Sequence, residues 1–236
     1  MWRLVVAIGF AACTGTPGAQ NHVDASHDGA GSDAAHDADP DGSACSNGRV
    51  VYLNYGPQTL TFGASDATLN RAAWLGVASG SSPAFACGNT TDAETVTDAV
   101  RAALSSFPIT VVTTRPAAGP YVMIVFGGVA ADYGVPFLYG ANTQDCGDLV
   151  KSDVGWISDQ VPTVQKAADY AIGAIGYGLG LTATNDPNDC MCSWGNACAQ
   201  GAGPCTLSTS ITAQLDCAGE TNPQNEVAGF HKAFCE

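Results

Sequence analysis

The sequence predicts an α+β domain: a mixed twisted sheet, two long helices and a disulfide-rich C-terminal part. Three observations support this prediction. Apolar runs rich in β-branched and aromatic residues occur at 49–55, 108–114 and 121–126. Two other segments repeat apolar residues at helical spacing, and six of the ten cysteines lie beyond residue 189. Because the apolar runs are nearly continuous and a helix separates them, we expect the sheet to be covered on at least one face.

Each predicted strand ends at residues that interrupt extended structure. The first run stops at Gly56-Pro57, the second at Pro116 and the third at Gly127-Gly128. Residues 129–160 show no such run, and we expect loops and short strands there.

The first predicted helix begins at a capping box, Thr91-Asp-Ala-Glu94, and continues to about Phe107. Its apolar positions share one face: Val96, Val100, Ala103 and Leu104.

The second predicted helix runs from near Pro162 to about Leu179. Its buried stripe is Val164, Ala168, Ile172, Ile175 and Leu179. Three glycines weaken it, each by up to about 1 kcal/mol relative to alanine. A short terminal helix is predicted around 227–234.

The chain divides into a signal segment (1–12), a tether (13–44) and one disulfide-bonded domain (45–236). Arg3 precedes a short apolar run ending in small residues, as in an export signal. Residues 10–13, Phe-Ala-Ala-Cys, resemble a bacterial lipobox with Phe10 where Leu is usual, which implies lipidation at Cys13. The alternative is cleavage near Ala12 or Ala19 and full secretion. Either route predicts a cell-envelope or extracellular location, where disulfides form.

The tether is rich in Asp, Ala, Gly and His, so we expect it to be disordered and extended by charge repulsion. Residues 37–42 copy the start of an EF-hand loop, but Gly48 stands where a bidentate Glu is needed. We therefore expect no calcium site. The tether histidines among aspartates are interpreted as a solvated charge run: His22, His27 and His36.

The net charge of −14, with only 8 scattered Lys and Arg residues, argues against nucleic-acid or anionic-membrane partners. No later apolar stretch is long enough for a transmembrane helix. Contact with a membrane is expected only through a lipid anchor.

Residues 173–191 read Gly-Ala-Ile-Gly-Tyr-Gly-Leu-Gly-Leu-Thr-Ala-Thr-Asn-Asp-Pro-Asn-Asp-Cys-Met. This segment resembles the active-site segment of metzincin zinc proteases of the matrixin type, His-Glu-x-Gly-His-x-Leu-Gly-Leu-x-His followed by Pro and Met. The matching positions are Gly176, Leu179, Gly180, Leu181, Pro187 and Met191. The upstream order of strand, helix, strand and strand also looks like a metzincin.

The resemblance implies a protease framework without its metal-binding side chains. Two histidines one helical turn apart hold zinc in that family, with a third after a glycine turn, and a Glu activates water. The histidine positions here are Gly173, Tyr177 and Ala183, and the Glu position is Ala174. We therefore expect no zinc and no catalytic residue. A cleft under the edge strand, as in the family, would still hold an extended peptide or protein segment.

The sequence contains other candidates for a metal site or a catalytic group. The only histidine of the domain, His231, is interpreted as a surface residue on the terminal helix. Four nearby thiols form the alternative zinc site: Cys190, Cys192, Cys198 and Cys205. In an exported protein we expect these to be oxidised. No nucleophile has a credible His and acid partner. An active metallopeptidase with unconventional ligands and an unrelated disulfide-rich surface protein remain the alternatives.

Nine cysteines remain once Cys13 is set aside, an odd number. Cys87 and Cys146 bracket the central strands and are the predicted partners. Six others are expected to form three bonds among themselves: Cys190, Cys192, Cys198, Cys205, Cys217 and Cys235. Cys45 is left unpaired unless it takes one of them.

Overall fold

The structure, a computed structural model, describes residues 48–86, 90–195 and 198–235. Within these ranges the chain forms an α+β fold with two sheets and four helices. The predicted signal segment and tether lie outside them, with Cys13, the tether histidines and the 37–42 motif. So do Cys45 and Cys87.

The larger sheet has five strands in the order β5-β1-β6-β8-β7. Their bounds are β1 Arg49–Asn54, β5 Ile109–Val112, β6 Tyr121–Phe126, β7 Gly140–Ala141 and β8 Val154–Ile157. Neighbours are parallel except β7, which is antiparallel to β8. The three predicted runs are thus the strands β1, β5 and β6.

Both faces of this sheet are covered. Successive residues of a strand point to opposite faces, so Leu53 and Ile124 join one core cluster while Tyr52 and Met123 join another. All six residues of β6 are buried. A central strand covered on both sides needs apolar residues at every position, which explains its continuous apolar run.

Two long helices cover one face, α1 (Thr90–Ala103) and α3 (Val164–Gly178). They confirm the two predicted helices, with differences at the ends. The single buried stripe predicted for the second helix is wrong, because α3 is buried on nearly every side, from Lys166 to Gly176. Because α1 begins at Thr90, Thr91 lies in its first turn rather than at the predicted cap. Ala103 is exposed rather than buried, because the helix ends there and the chain turns away. Phe107 lies in the turn that follows.

The opposite face is covered by a second sheet that the sequence did not predict. Its strands are β2 Gln58–Phe62, β3 Arg71–Ala72 and β4 Ser79–Ser82, in the order β3-β2-β4. The short helix α2 (Ala130–Tyr133) packs beside it, and the terminal helix α4 covers Glu226–Cys235. No helix among the described residues is long and apolar enough to cross a membrane.

Three disulfide bonds lie within the described ranges: Cys146–Cys217, Cys190–Cys205 and Cys192–Cys198. Cys235 is also disulfide-bonded. The predicted Cys87–Cys146 pair is wrong, and Cys217 does not pair within the C-terminal group. The physical reason is the turn at Gly180, where the Cys217 sulfur lies 3.8 Å from the Gly180 carbonyl oxygen. The Cys146 segment packs against the same glycine.

Candidate functional site

The end of α3 is a sharp turn at Gly180. The helix starts at Thr163, whose hydroxyl accepts a hydrogen bond from the Lys166 amide at 3.1 Å. It ends at Gly178, and Gly180 has a φ of 89°. A Cβ there would lie 2.7 Å from the Asp145 carbonyl oxygen. Both the backbone angle and the close approach therefore require glycine.

Met191 is fully buried beneath α3. Its sulfur lies 2.7 Å from the place where a Cβ on Gly176 would be. Its backbone N–H donates to Asp189 at 2.8 Å. α3 thus packs on Met191 through Gly176, close to the turn at Gly180.

Three of the four replaced positions face one segment, Trp194-Gly195. A Cβ on Gly173 would overlap Nε1 of Trp194 and lie 2.5 Å from the Cys190 carbonyl oxygen. A Cβ on Gly195 would lie 3.7 Å from the Tyr177 hydroxyl and 3.9 Å from Cβ of Ala183. Positions 173, 177 and 183 therefore meet around this segment.

Ala174 faces elsewhere. Its Cβ lies 3.2 Å from the place of a Cβ on Gly155, a residue of β8. A longer side chain at position 174 would press into the buried sheet. The position predicted to correspond to the catalytic Glu thus does not join the other three.

Trp194 is a wedge between α3 and the edge strand β7. Its Nε1 end packs on Gly173, and Cη2 at the other end of the ring lies 3.4 Å from the place of a Cβ on Gly140. The ring centroids of Tyr177 and Tyr170 lie 5.7 and 6.5 Å from its own. Only 5% of Trp194 is exposed. Two glycines thus make room for one indole.

A cleft of about 360 Å³ opens beside this indole. Phe137 and Leu138 form part of its lining and are 52% and 50% exposed. None of the lining residues carries a formal charge at neutral pH. The full lining is Phe137, Leu138, Tyr139, Gly140, Ala141, Asn142, Tyr170, Tyr177, Ser193, Trp194, Gly195, Cys198 and Ala199.

The edge strand offers unpaired backbone groups to this cleft. The Ser158 N–H donates to the Tyr139 carbonyl at 2.9 Å, so residue 139 points its backbone groups at β8. Hydrogen-bonding direction alternates along an antiparallel strand. The N–H and C=O of Gly140 therefore point away from β8, to the open edge of the sheet.

Asn142 joins the edge strand to α3 and to the sheet. Its side-chain amide donates to Asp153 at 2.6 Å and to the Ala174 carbonyl at 2.8 Å. Burial raises the pKa of Asp153 to about 6, against a usual value of 3.8. These bonds hold the cleft wall in place.

Behind Met191 lies a buried pair of carboxyl groups, Asp189 and Glu226, which are 1% and 0% exposed. They are in hydrogen-bond contact, and Ser208 donates to both. Burial, followed by the negative charge of Asp189, raises the pKa of Glu226 to about 8. The pair therefore holds a proton at neutral pH and ties α4 to the loop that carries Met191.

The alternative zinc sites do not assemble. The four thiols of the predicted cluster are consumed by Cys190–Cys205 and Cys192–Cys198. His231 lies on α4 as predicted, but it is half-buried and its ring packs 4.9 Å from that of Phe107. Within the described residues no group of three or more His, Cys, Asp or Glu side chains is arranged to hold a metal ion.

Sequence reasoning missed several residues of this site. Trp194 gave no periodic signal, because it stands alone among Cys, Gly and Ser. Asn142, Tyr170 and the Asp189–Glu226 pair come together only through tertiary contacts. One available signal was the pair of isolated glycines at 140 and 173, since a glycine within a strand or helix often marks a close approach.

Comparison with known proteins adds no relative to this description, since no family model and no curated protein matches the chain.

Proposed function

We propose that this chain is an exported, non-catalytic binding module on a metzincin-like framework, whose cleft holds an extended peptide without hydrolysing it. One observation carries the proposal. The three positions where the resembled family has metal-binding histidines are Gly173, Tyr177 and Ala183, and all three lie beside Trp194-Gly195 at the cleft.

The framework assignment is supported by the order of elements and by the end of α3. Apart from β2, β3 and β4, the chain runs through β1, α1, β5 and β6, which is the order of strand, helix, strand and strand in the family that the sequence resembles. The elements α2, β7 and β8 then precede α3. The left-handed turn at Gly180 and the burial of Met191 against Gly176 also support this resemblance. The inserted sheet β3-β2-β4 departs from the element order expected from the sequence.

The absence of hydrolysis follows from side-chain chemistry. The side chains of glycine and alanine have no atom that ligates a metal or transfers a proton. Trp194 also fills the space that a longer side chain at position 173 would need. A single phenol, Tyr177, does not replace three imidazoles.

Peptide binding is supported by the edge of the sheet. An extended segment adds to an open strand edge through backbone hydrogen bonds, and its alternate side chains enter adjacent pockets. Gly140 supplies the free backbone groups and lies in the lining of the cleft. Ala141 is also small, so that a peptide backbone meets little obstruction.

Export is part of the proposal. Disulfide bonds persist in oxidising compartments, and three are present in the described ranges. Cys13 at the head of an acidic tether would anchor the domain to a membrane surface. Mass spectrometry of the N-terminal peptide from the native host distinguishes the two routes, because an acylated Cys13 supports anchoring and an unmodified terminus supports secretion.

The test of binding uses the exported full chain and a library of short linear peptides. Selected peptides are synthesised, and their affinity and integrity are measured in one sample by fluorescence anisotropy and mass spectrometry. The matched variants are Leu138→Asp in the cleft and Leu149→Asp outside it, both at exposed positions. We expect at least tenfold weaker binding for Leu138→Asp, none of this loss for Leu149→Asp, and intact peptide.

Cleaved peptide, or stoichiometric zinc in the purified protein, would instead favour an active metallopeptidase with unconventional ligands. Equal affinities for the two variants would place the binding site elsewhere.

A further inference from the structure

We infer that the cleft selects a segment with one uncharged apolar side chain between basic residues, and that Trp194 sets the size of that side chain. The inference rests on the proposed function and goes beyond it in naming the class of peptide and the residue that determines specificity.

The lining of the cleft is uncharged. No lining residue carries a formal charge at neutral pH. An Asp, Glu, Lys or Arg side chain entering the cleft would lose its hydration and gain no ion pair, which is costly. The entering side chain is therefore uncharged. Aromatic rings dominate the walls, at Phe137, Tyr139, Tyr170, Tyr177 and Trp194, which favours an apolar group.

Outside the cleft the domain is negatively charged. Residues 48–236 contain 16 Asp and Glu against 7 Lys and Arg, a net charge of −9. Such a field repels acidic segments and speeds the arrival of basic ones. In the bound peptide, the residues on either side of the entering side chain lie outside the uncharged lining and within the negative field of the domain. Lysine or arginine is therefore favoured at these flanking positions.

The floor of the cleft is rigid. The loop that carries Trp194 is closed by Cys192–Cys198, a sequence separation of 6. The Ser193 hydroxyl donates to the Cys198 carbonyl within the same loop. The indole is held between Gly173 and Gly140, and neither glycine has a side chain that could move aside. A floor fixed in this way limits the depth of the cleft.

The size limit follows from this geometry. Removal of the indole would deepen the cleft between α3 and β7, since the ring reaches from Gly173 to Gly140. One extra methylene in an apolar pocket changes affinity by about 10- to 200-fold. Trp194 is thus positioned to reject side chains that are larger than the space above it.

The experiment compares synthetic peptides Lys-Lys-Ala-X-Ala-Lys-Lys, where X is Leu, Trp, Asp or Lys. Affinity is measured by anisotropy for the wild-type chain, Trp194→Ala, Trp194→Phe and the control Trp74→Phe. Trp74 lies in the other core cluster, away from the cleft. The wild-type chain is expected to prefer Leu over Asp and Lys by at least tenfold, and Leu over Trp.

The ratio of affinities for the Trp and Leu peptides should rise at least tenfold in Trp194→Ala and several-fold in Trp194→Phe, with no change in Trp74→Phe. If Trp194→Ala does not fold, Trp194→Phe alone tests the inference, because it keeps an aromatic ring between α3 and β7. An unchanged ratio in a folded Trp194 variant overturns the inference, as does a wild-type preference for Asp or Lys. Failure of the wild-type chain to bind any peptide would reject the proposed function itself.

Discussion

Glu226→Gln is expected to be slightly less stable than the wild-type chain in acid and to become more stable than it as the pH rises to neutral and alkaline values. Glu226 is fully buried beside Asp189, and burial and that neighbouring charge raise its pKa from 4.5 to about 8. A group that binds its proton more tightly in the folded state loses stability as the pH rises from its unfolded to its folded pKa. The cost therefore develops between pH 4.5 and about 8.

The magnitude follows from the two pKa values. Each tenfold change in proton affinity is worth about 1.4 kcal/mol, so a rise from 4.5 to about 8 sets an upper bound of about 5 kcal/mol. Glutamine resembles the protonated acid in shape, and its amide N–H can face Asp189. Its nitrogen cannot accept the bond that Gln224 Nε2 donates to Oε1 or the bond that the Ser208 N–H donates to Oε2, which costs about 1 kcal/mol at every pH. The variant lacks the ionisable group, so it does not develop this cost.

Urea denaturation at several pH values between 4 and 9 provides the measurement, with Glu94→Gln as the control at an exposed position. The advantage of Glu226→Gln over the wild-type chain should grow with pH and level off above pH 8. A constant difference across this range, or an advantage that is largest in acid, would refute the reasoning.

Three further predictions concern the scaffold. Lys166→Met should lower the free energy of unfolding by about 3–5 kcal/mol, because it leaves Asp169 buried without the ammonium that now lies 2.6 Å away. Lys151→Met should lower it by at most about 1 kcal/mol in the same urea titration, because Lys151 is 41% exposed and its partner Asp148 keeps Arg49. Removal of Cys146–Cys217, which closes a loop of 71 residues, should lower the free energy of unfolding by about 4 kcal/mol. Removal of Cys192–Cys198 should lower it by about 2 kcal/mol, since the entropy of the unfolded chain depends on loop length. Equal losses would contradict this dependence. Replacing Gly173, Tyr177 and Ala183 by His should give zinc binding only when Trp194 is also replaced by Gly, as measured by metal analysis. Ala174 is kept, because a longer side chain there would press into the buried sheet. Zinc uptake by the threefold variant alone would show that the indole does not block the site.

The parts of the fold that the sequence predicted are those with a periodic or continuous apolar pattern. Strands β1 and β6 are central and covered on both faces, so their apolar residues are nearly continuous. The edge strand β5 is partly buried, and its apolar residues still mark it. α3 is buried on nearly every side, and apolar residues at helical spacing mark it in the sequence. The sheet β3-β2-β4 left no such signal. Its strands include Gln58-Thr-Leu-Thr and Ser79-Gly-Ser-Ser, where only Leu60 is both large and buried.

The cleft was harder to predict, because it is assembled from distant segments. Phe137 to Asn142, Tyr170, Tyr177 and Trp194 come together only when α3 packs under the edge strand. The Cys146–Cys217 pair had the same difficulty, since both cysteines are brought together by the turn at Gly180. The spacing of residues along the chain contains no information about such tertiary contacts.

Amide hydrogen exchange at Gly140, measured by NMR with and without a selected peptide, is the most direct test of binding at the sheet edge. Its N–H faces the open edge, so an added strand should supply an acceptor and slow exchange at this one amide at least tenfold. Exchange at Ile124, in the centre of the sheet, should not change. If the peptide binds and Gly140 exchanges at its original rate, the peptide does not extend the sheet.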